Sequence, residues 1–201
     1  MILFFLMNFI VVTSAYLLTY KVLKISRIID GLLTLFILYF AQIICTELLL
    51  GILGALYLKN ILRLNLVRFL IIWLITYTRG SSFSLSGLRG ILDLILQDKA
   101  ALFIISTLLT FTLVKIFFNL INPPLGWDCL NYHFTFPVEW MKSGTLDNPI
   151  VVSDDPFPTY YPINGSLLFF WFLLPFRSAF LADLTQLPFF IISFLAVSNS
   201  L

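Results

Sequence analysis

The sequence predicts an all-α protein whose transmembrane helices cross a membrane several times. Three observations predict this class: 60% of the residues are hydrophobic, only 11% are charged, and the mean hydropathy is +1.02. Soluble domains average about 25% charged residues. Apolar runs long enough to cross a bilayer recur, so irregular backbone must lie in loops, in the protein interior or against water.

Residues 1–121 are predicted to form the N-terminal transmembrane helices. The run at 2–20 predicts the first span, since it lacks the charged segment and cleavage site of a signal peptide. A short basic connection leads to a long predicted span at 31–57. Within it, Gly51 and Ala55 form a pair of small residues at a spacing that permits close helix packing.

The next segment, at 66–78, is shorter than a full span. The connection before it is predicted from three basic residues: Lys59, Arg63 and Arg68. Thirteen helical residues cover roughly 20 Å of a hydrocarbon core of about 30 Å. The segment therefore either spans the membrane where the bilayer is locally thinned, or is a re-entrant or interfacial helix. Residues 100–121 predict a clear span, which Asn122 and the following prolines end.

The chain changes character after this span, because all nine prolines lie beyond it. Residues 122–165 are predicted to form a long extramembrane loop, and residues 166–201 to add further transmembrane helices. The first of these, at 166–182, is expected to break near Pro175 and Arg177. Because the chain ends within a hydrophobic run, we expect it to be a fragment, the N-terminal portion of a longer protein.

Charge predicts that the long loop lies on the outer face of a plasma membrane. Up to Leu120 there are ten basic and four acidic residues, a net charge of +6; beyond it there are two basic and six acidic residues, a net charge of −4. The positive-inside rule therefore puts residues 122–165 outside. The N-terminus is outside if 66–78 crosses and inside if it does not, and the basic connection at 21–30 favours the first. Scattered basic loops do not suggest nucleic-acid binding.

Asp128 is the acid of the polar, aromatic segment that opens this loop. Because Asp is a leading N-cap residue, Asp128 either caps a helix from about Cys129 to Ser143, with Gly144 as its C′ residue, or is a catalytic carboxylate at the membrane surface. Pro137 predicts a kink or two short helices. This helix would lie along the membrane surface as an interfacial helix, and one face of it would carry Leu130, Phe134, Val138 and Met141. Three aromatic residues would lie at headgroup depth: Trp127, Tyr132 and Trp140.

Other ionisable residues leave alternatives open. His133 is the only histidine, and no second His or Cys stands at ligand spacing, so no zinc site is predicted. Asp154 and Asp155 either bind a divalent cation or solvate the loop. Glu47 lies within an apolar run, where it is either functional or a neutral or paired acid that faces other helices.

The loop resembles part of the multi-pass GT-C glycosyltransferases. The pattern Pro-Pro-x-x-Trp-Asp-x-Leu-x-Tyr-His-Phe starts at Pro123, and Trp140, Gly144, Tyr161-Pro162 and Asn164-Gly165 follow before a helix rich in Leu and Phe. More specifically, it is similar to bacterial and archaeal relatives of the dolichyl-phosphate-mannose–protein mannosyltransferases. The resemblance covers residues 123–174, and the earlier spans match only in being hydrophobic.

The resemblance implies transfer of a sugar from a polyprenyl-phosphate donor to an acceptor at the outer face of the bilayer. Asp128 matches an acidic residue of the family's first large outer loop. As general base it would accept the proton of the acceptor hydroxyl, with inversion at the anomeric carbon. The residues expected to bind substrate or orient Asp128 are Trp127, Tyr132, His133, Tyr161 and Asn164.

The sequence departs from this resemblance at Ser166. Ser166 occupies a position where relatives often have Glu, so a second acid would come from elsewhere, such as Asp154 or Asp155.

Two rival hypotheses stand beside the glycosyltransferase. The first rival is a non-catalytic fragment or partner subunit. The second is a transporter with Glu47 and Lys115 as intramembrane charges, against which counts the concentration of polar features in the outer loop.

Overall fold

The computed structural model describes residues 1–84, 96–122, 126–147 and 161–200. Within these ranges the regular structure is helical and contains no β-strand, so the all-α prediction is confirmed for them. The α-helices are α1 (Ile2–Leu17), α2 (Ile28–Ile52), α3 (Leu58–Thr76), α4 (Lys99–Ile121), α5 (Thr135–Ser143), α6 (Asn164–Leu173) and α7 (Leu187–Ser200).

Two helices near the N-terminus are long and apolar enough to cross a membrane. Helix α1 continues through a π-helical segment, Leu18–Val22, to give 21 residues, and α2 has 25. Both have a mean hydropathy of 2.1 over an 18-residue window. At about 1.5 Å per residue both exceed 30 Å in length.

The core lies between α1, α2, α3 and α6, and α5 closes one side of it. Asn8 of α1 joins three helices, because its side-chain oxygen accepts hydrogen bonds from Tyr39 of α2 and, at 3.2 Å, from the indole of Trp171 of α6. The fully buried apolar residues of this cluster include Met7, Val11, Leu56, Ile61, Trp140, Leu167 and Phe170. Helix α6 is therefore part of the core and not a peripheral span.

Helix α3 is longer than the predicted segment at 66–78. It begins at Leu58, so the basic residues that were expected to mark a connection lie inside it. Arg68 is accommodated because its guanidinium donates to the Gln42 carbonyl at 3.0 Å and to the Thr46 hydroxyl at 2.8 Å. Nineteen residues cover about 28 Å, which is close to a full hydrocarbon core.

Hydrogen bonds fix which connections meet at each end of the bundle. At one end the backbone N–H of Ser82 donates to Tyr20 at 2.9 Å, and the Ser82 hydroxyl donates to Ile25 at 2.8 Å. At the other end the N–H of Leu56 donates to Gly144 at 2.9 Å. Helix α3 thus runs the whole length of the bundle, and the connection between α2 and α3 lies beside the end of α5.

The small residues Gly51 and Ala55 do not form a helix–helix contact. Helix α2 ends at Ile52, so Ala55 lies in the connection beyond it. The space at Gly51 is filled by Leu146, since a Cβ added there would lie 2.2 Å from the Cγ of Leu146. The glycine therefore allows the segment after α5 to dock on α2.

Helix α4 stands apart from this core and exposes apolar surface. Its 23 residues match the predicted span at 100–121, and its protein neighbours include a 3-10 segment, Ala179–Gln186. Large side chains along its length are mostly exposed, among them Phe103 at 71% and Phe111 at 63%. Such a surface requires an apolar environment or a partner.

The break predicted near Pro175 and Arg177 is confirmed. Helix α6 ends at Leu173, and a turn follows in which Arg177 has a φ of 49°. The 3-10 segment then leads into α7, which corresponds to the last predicted hydrophobic helix.

Candidate functional site

The segment from Asp128 to Gly144 forms two helical pieces, which confirms the two short helices predicted from Pro137. Residues Cys129–His133 are π-helical and α5 follows, because the ring of Pro137 lacks an N–H and clashes with the carbonyl four residues earlier, at His133. Gly144 ends α5 with a φ of 74°, as predicted for the C′ residue. Asp128 itself has helical dihedral angles and its side chain caps no backbone N–H, so the capping prediction is wrong.

One face of this segment packs on the protein core. Leu130 is 54% exposed and Val138 37%, whereas Phe136 and Trp140 are buried. Trp140 is fully buried, with its indole N–H donating to the carbonyl of Asp147 at 3.2 Å, so the prediction of headgroup depth is wrong for this residue.

His133 joins this segment to the start of α6. Its Nδ1 lies 3.2 Å from the hydroxyl oxygen of Ser166, and its ring contacts Phe169 at a centroid distance of 4.9 Å. A Cβ added at Gly165 would lie 3.5 Å from the Cε1 of His133, so the first turn of α6 approaches the imidazole closely. The single histidine is therefore held between the loop and the core.

Tyr132 and Tyr161 extend this cluster. The two phenol rings meet edge to face at 5.4 Å, and Tyr132 also packs on His133 at 4.1 Å. Four predicted site residues lie in this region: Tyr132, His133, Tyr161 and Asn164. Asp128 precedes Tyr132 by four residues, about one helical turn.

The electrostatics of the cluster couple Asp128 to its neighbours. Burial raises the pKa of Tyr132, and the nearby charge of Asp128 raises it further. Burial lowers the pKa of His133, and the carboxylate of Asp128 offsets part of that effect. The imidazole therefore favours its neutral form, in which one ring nitrogen accepts and the other donates.

A cavity of about 410 Å³ opens beside His133, within the size range of small-molecule sites. Its polar lining comes from His133, Asn164, Thr185 and Gln186, and its apolar lining includes Phe40, Phe169 and Phe189. The buried Thr185 hydroxyl has no hydrogen-bond partner among the described residues. The cavity thus combines aromatic walls with a few polar groups.

Some predicted site residues do not belong to this cavity. Trp127 is 72% exposed and Tyr161 49%, and neither they nor Asp128 line it. Asp154 and Asp155 lie outside the described residues, so the divalent-cation hypothesis stays a prediction. No group of three His, Cys, Asp or Glu side chains that could hold a metal occurs in the described ranges.

Sequence reasoning missed Thr185 and Gln186. Both belong to the 3-10 segment, which the hydrophobic pattern does not separate from the helix after it. Two consecutive polar residues within an apolar run were the available signal. Glu47 was a clearer signal, because it is an acid within an apolar run of the sequence. In the structure Glu47 is fully buried, and neither carboxyl oxygen has a hydrogen-bond partner among the described residues.

Comparison with known protein families, curated proteins and solved structures found no match for this chain. The resemblance to the GT-C glycosyltransferases consequently rests on residues 123–174 alone. Fold-level similarity would not by itself give a function, so the functional argument depends on the site.

Proposed function

We propose that the chain acts in a GT-C-like membrane glycosyltransferase. Such an enzyme transfers a sugar from a polyprenyl-phosphate donor to an acceptor at the outer face of the cell membrane. The observation that carries the proposal is the position of Asp128, about one turn before Tyr132 and His133, because His133 contacts Ser166 in the first turn of α6 and lines a cavity.

The exposed apolar surface supports a multi-pass arrangement in a bilayer. Helices α1 and α2 have the length and hydropathy of spans, and α4 exposes apolar side chains over about 34 Å. The acidic composition of residues 122–165 favours the outer side for that loop. The connection between α2 and α3 meets the loop, which supports an arrangement with the basic connection at 21–30 inside and the N-terminus outside.

Asp128 would serve as the general base of the transfer. Its carboxylate accepts the proton of the acceptor hydroxyl while that oxygen attacks the anomeric carbon, and the bond to the polyprenyl phosphate breaks. Attack opposite the leaving group inverts the configuration. His133 and Asn164 would hydrogen-bond the sugar or acceptor at the cavity, and Tyr132 would position His133.

The test is sugar transfer by membranes that contain the protein, with a radiolabelled hexose on a polyprenyl phosphate. We expect Asp128→Asn to slow transfer by about 10²- to 10⁴-fold, the usual contribution of a positioned base. Asp147→Asn is the matched control, because this acid of the same loop accepts a hydrogen bond from Thr145 and, unlike Asp128, does not act on Tyr132 or His133. Undiminished transfer by Asp128→Asn would refute the assignment.

Transport is the second candidate, and the buried, unpartnered Glu47 favours it. Intramembrane acids often mark ion or proton pathways. If Glu47→Gln abolished the protein's function in cells while Asp128→Asn left it intact, transport would replace sugar transfer as the explanation. A normal function in both variants would favour the non-catalytic partner subunit.

A further inference from the structure

A groove of about 760 Å³ lies where the α2–α3 connection, α5 and the end of α6 meet. Its walls are mostly apolar and include Leu56, Val138, Met141 and Leu174. Three basic side chains, Lys59, Lys142 and Arg177, also line it, and none of the described lining residues is acidic. It is separate from the cavity beside His133, since the two have no lining residue in common in the part of the chain that the structure describes.

The groove collects basic residues from a part of the chain that has few of them. The sequence beyond Leu120 has only two basic residues among six acids, and both of them, Lys142 and Arg177, line the groove. Lys59 joins them from the first turn of α3, where the helix dipole adds positive potential. A region that is otherwise acidic thus concentrates all its positive charge at one place.

The positive charge is largely free of internal partners. Lys142 forms an exposed pair with Glu139 at 2.6 Å, but no ion pair within the described residues involves Lys59 or Arg177. Arg177 also has a φ of 49°, a conformation that favours glycine, so an arginine at this position costs conformational energy. The guanidinium of Arg177 is therefore held at the groove by a turn that favours glycine.

We infer that this groove binds an anionic membrane phospholipid. The phosphate would lie among the three cations, and an acyl chain would follow the apolar wall formed by α5 and α6. Charge complementarity selects the headgroup, and the apolar lining selects an amphiphile over a free anion. The inference rests on the membrane location in the proposed function, but it does not require sugar transfer.

The test is native mass spectrometry of the full chain in detergent, titrated with phosphatidylglycerol or with phosphatidylcholine. We expect tighter binding of phosphatidylglycerol, and a loss of about fivefold in its affinity for each cation removed in Lys59→Gln and Arg177→Gln. Arg63→Gln is the matched control, because Arg63 is an exposed cation one turn further along α3 and outside the groove.

Four results would overturn the inference. These are equal affinity for the two lipids, an equal loss in Arg63→Gln, full displacement of phosphatidylglycerol by inorganic phosphate, and displacement by an equimolar polyprenyl phosphate. Should the groove variants fail to fold, Lys142→Gln provides the decisive case, because it alters an exposed side chain and should still weaken phosphatidylglycerol binding. None of these measurements depends on the role of Asp128.

Discussion

The Nδ1 atom of His133 lies 3.2 Å from the hydroxyl oxygen of Ser166, and this contact joins the turn after Asp128 to the first turn of α6. The hydroxyl is almost fully buried, so water does not replace it as a partner. The bond sets the orientation of the imidazole and makes the loop part of the core. Ser166 therefore holds the imidazole of His133 in place.

Ser166→Ala should lower the free energy of unfolding by about 1 kcal/mol, the usual net contribution of one hydrogen bond. Thermal unfolding in detergent measures the change. Ser106→Ala is the control, since the described hydrogen bond of that exposed hydroxyl on α4 goes to the carbonyl of Phe103 in the same helix. An unfolding temperature equal to that of the unaltered protein would mean that the His133 contact does not hold the loop.

The pKa of His133 should lie below its ordinary value of 6.5, because burial disfavours the charged imidazole. The unfolded chain then binds more protons than the folded chain just below pH 6.5. This contribution to stability is complete above the unfolded pKa and is lost as the pH falls through 6.5 toward the folded pKa. NMR titration measures the pKa of His133 directly, since the chain has one histidine.

Asp128→Asn should lower the pKa of His133 further, because the carboxylate that favours the charged imidazole is removed. Glu139→Gln is the control: that exposed acid pairs with Lys142 and does not act on His133. A titration midpoint that stays the same or rises in Asp128→Asn would show that the two side chains are not coupled.

The helical class and several boundaries could be predicted because they depend on local sequence. Apolar length predicted α1, α2 and α4, and Gly144 was recognised as the end of α5 because its conformation favours glycine. The break before Arg177 followed from proline chemistry. These features need no knowledge of the residues that pack against them.

The errors arose where a tertiary contact overrides local pattern. Arg68 predicted a connection, but its hydrogen bonds to Gln42 and Thr46 keep it within α3. Trp140 predicted a membrane interface, but Asp147 satisfies its N–H inside the core. The cavity beside His133 could not be predicted, because it needs the 3-10 segment to fold back against α6.

Glu47→Met should stabilise the protein. The acid is fully buried and its oxygens have no hydrogen-bond partner among the described residues, so it loses hydration without compensation. An apolar side chain of similar volume removes that cost, which is about 1–3 kcal/mol for an unsatisfied polar group. Thermal unfolding should show the gain, and a lower unfolding temperature would mean that the carboxyl has a stabilising partner.

Arg68→Met should destabilise the contact between α2 and α3. The guanidinium donates to the Gln42 carbonyl, the Thr46 hydroxyl and the side-chain oxygen of Asn65, and methionine supplies none of these bonds. A charged hydrogen bond contributes about 1.5–3 kcal/mol, so we expect a loss of at least that size in the free energy of unfolding.

The matched control for this change is Arg63→Met, five residues earlier on the same helix. Arg63 is exposed and forms no ion pair with a described residue, so its replacement should alter stability by no more than about 0.5 kcal/mol. Chemical denaturation of both variants in the same detergent compares them directly. Equal losses would mean that positive charge on α3, and not the bonds to α2, supports the helix pair. A loss confined to Arg68→Met would assign the stabilisation to those three bonds, because both variants remove one charge.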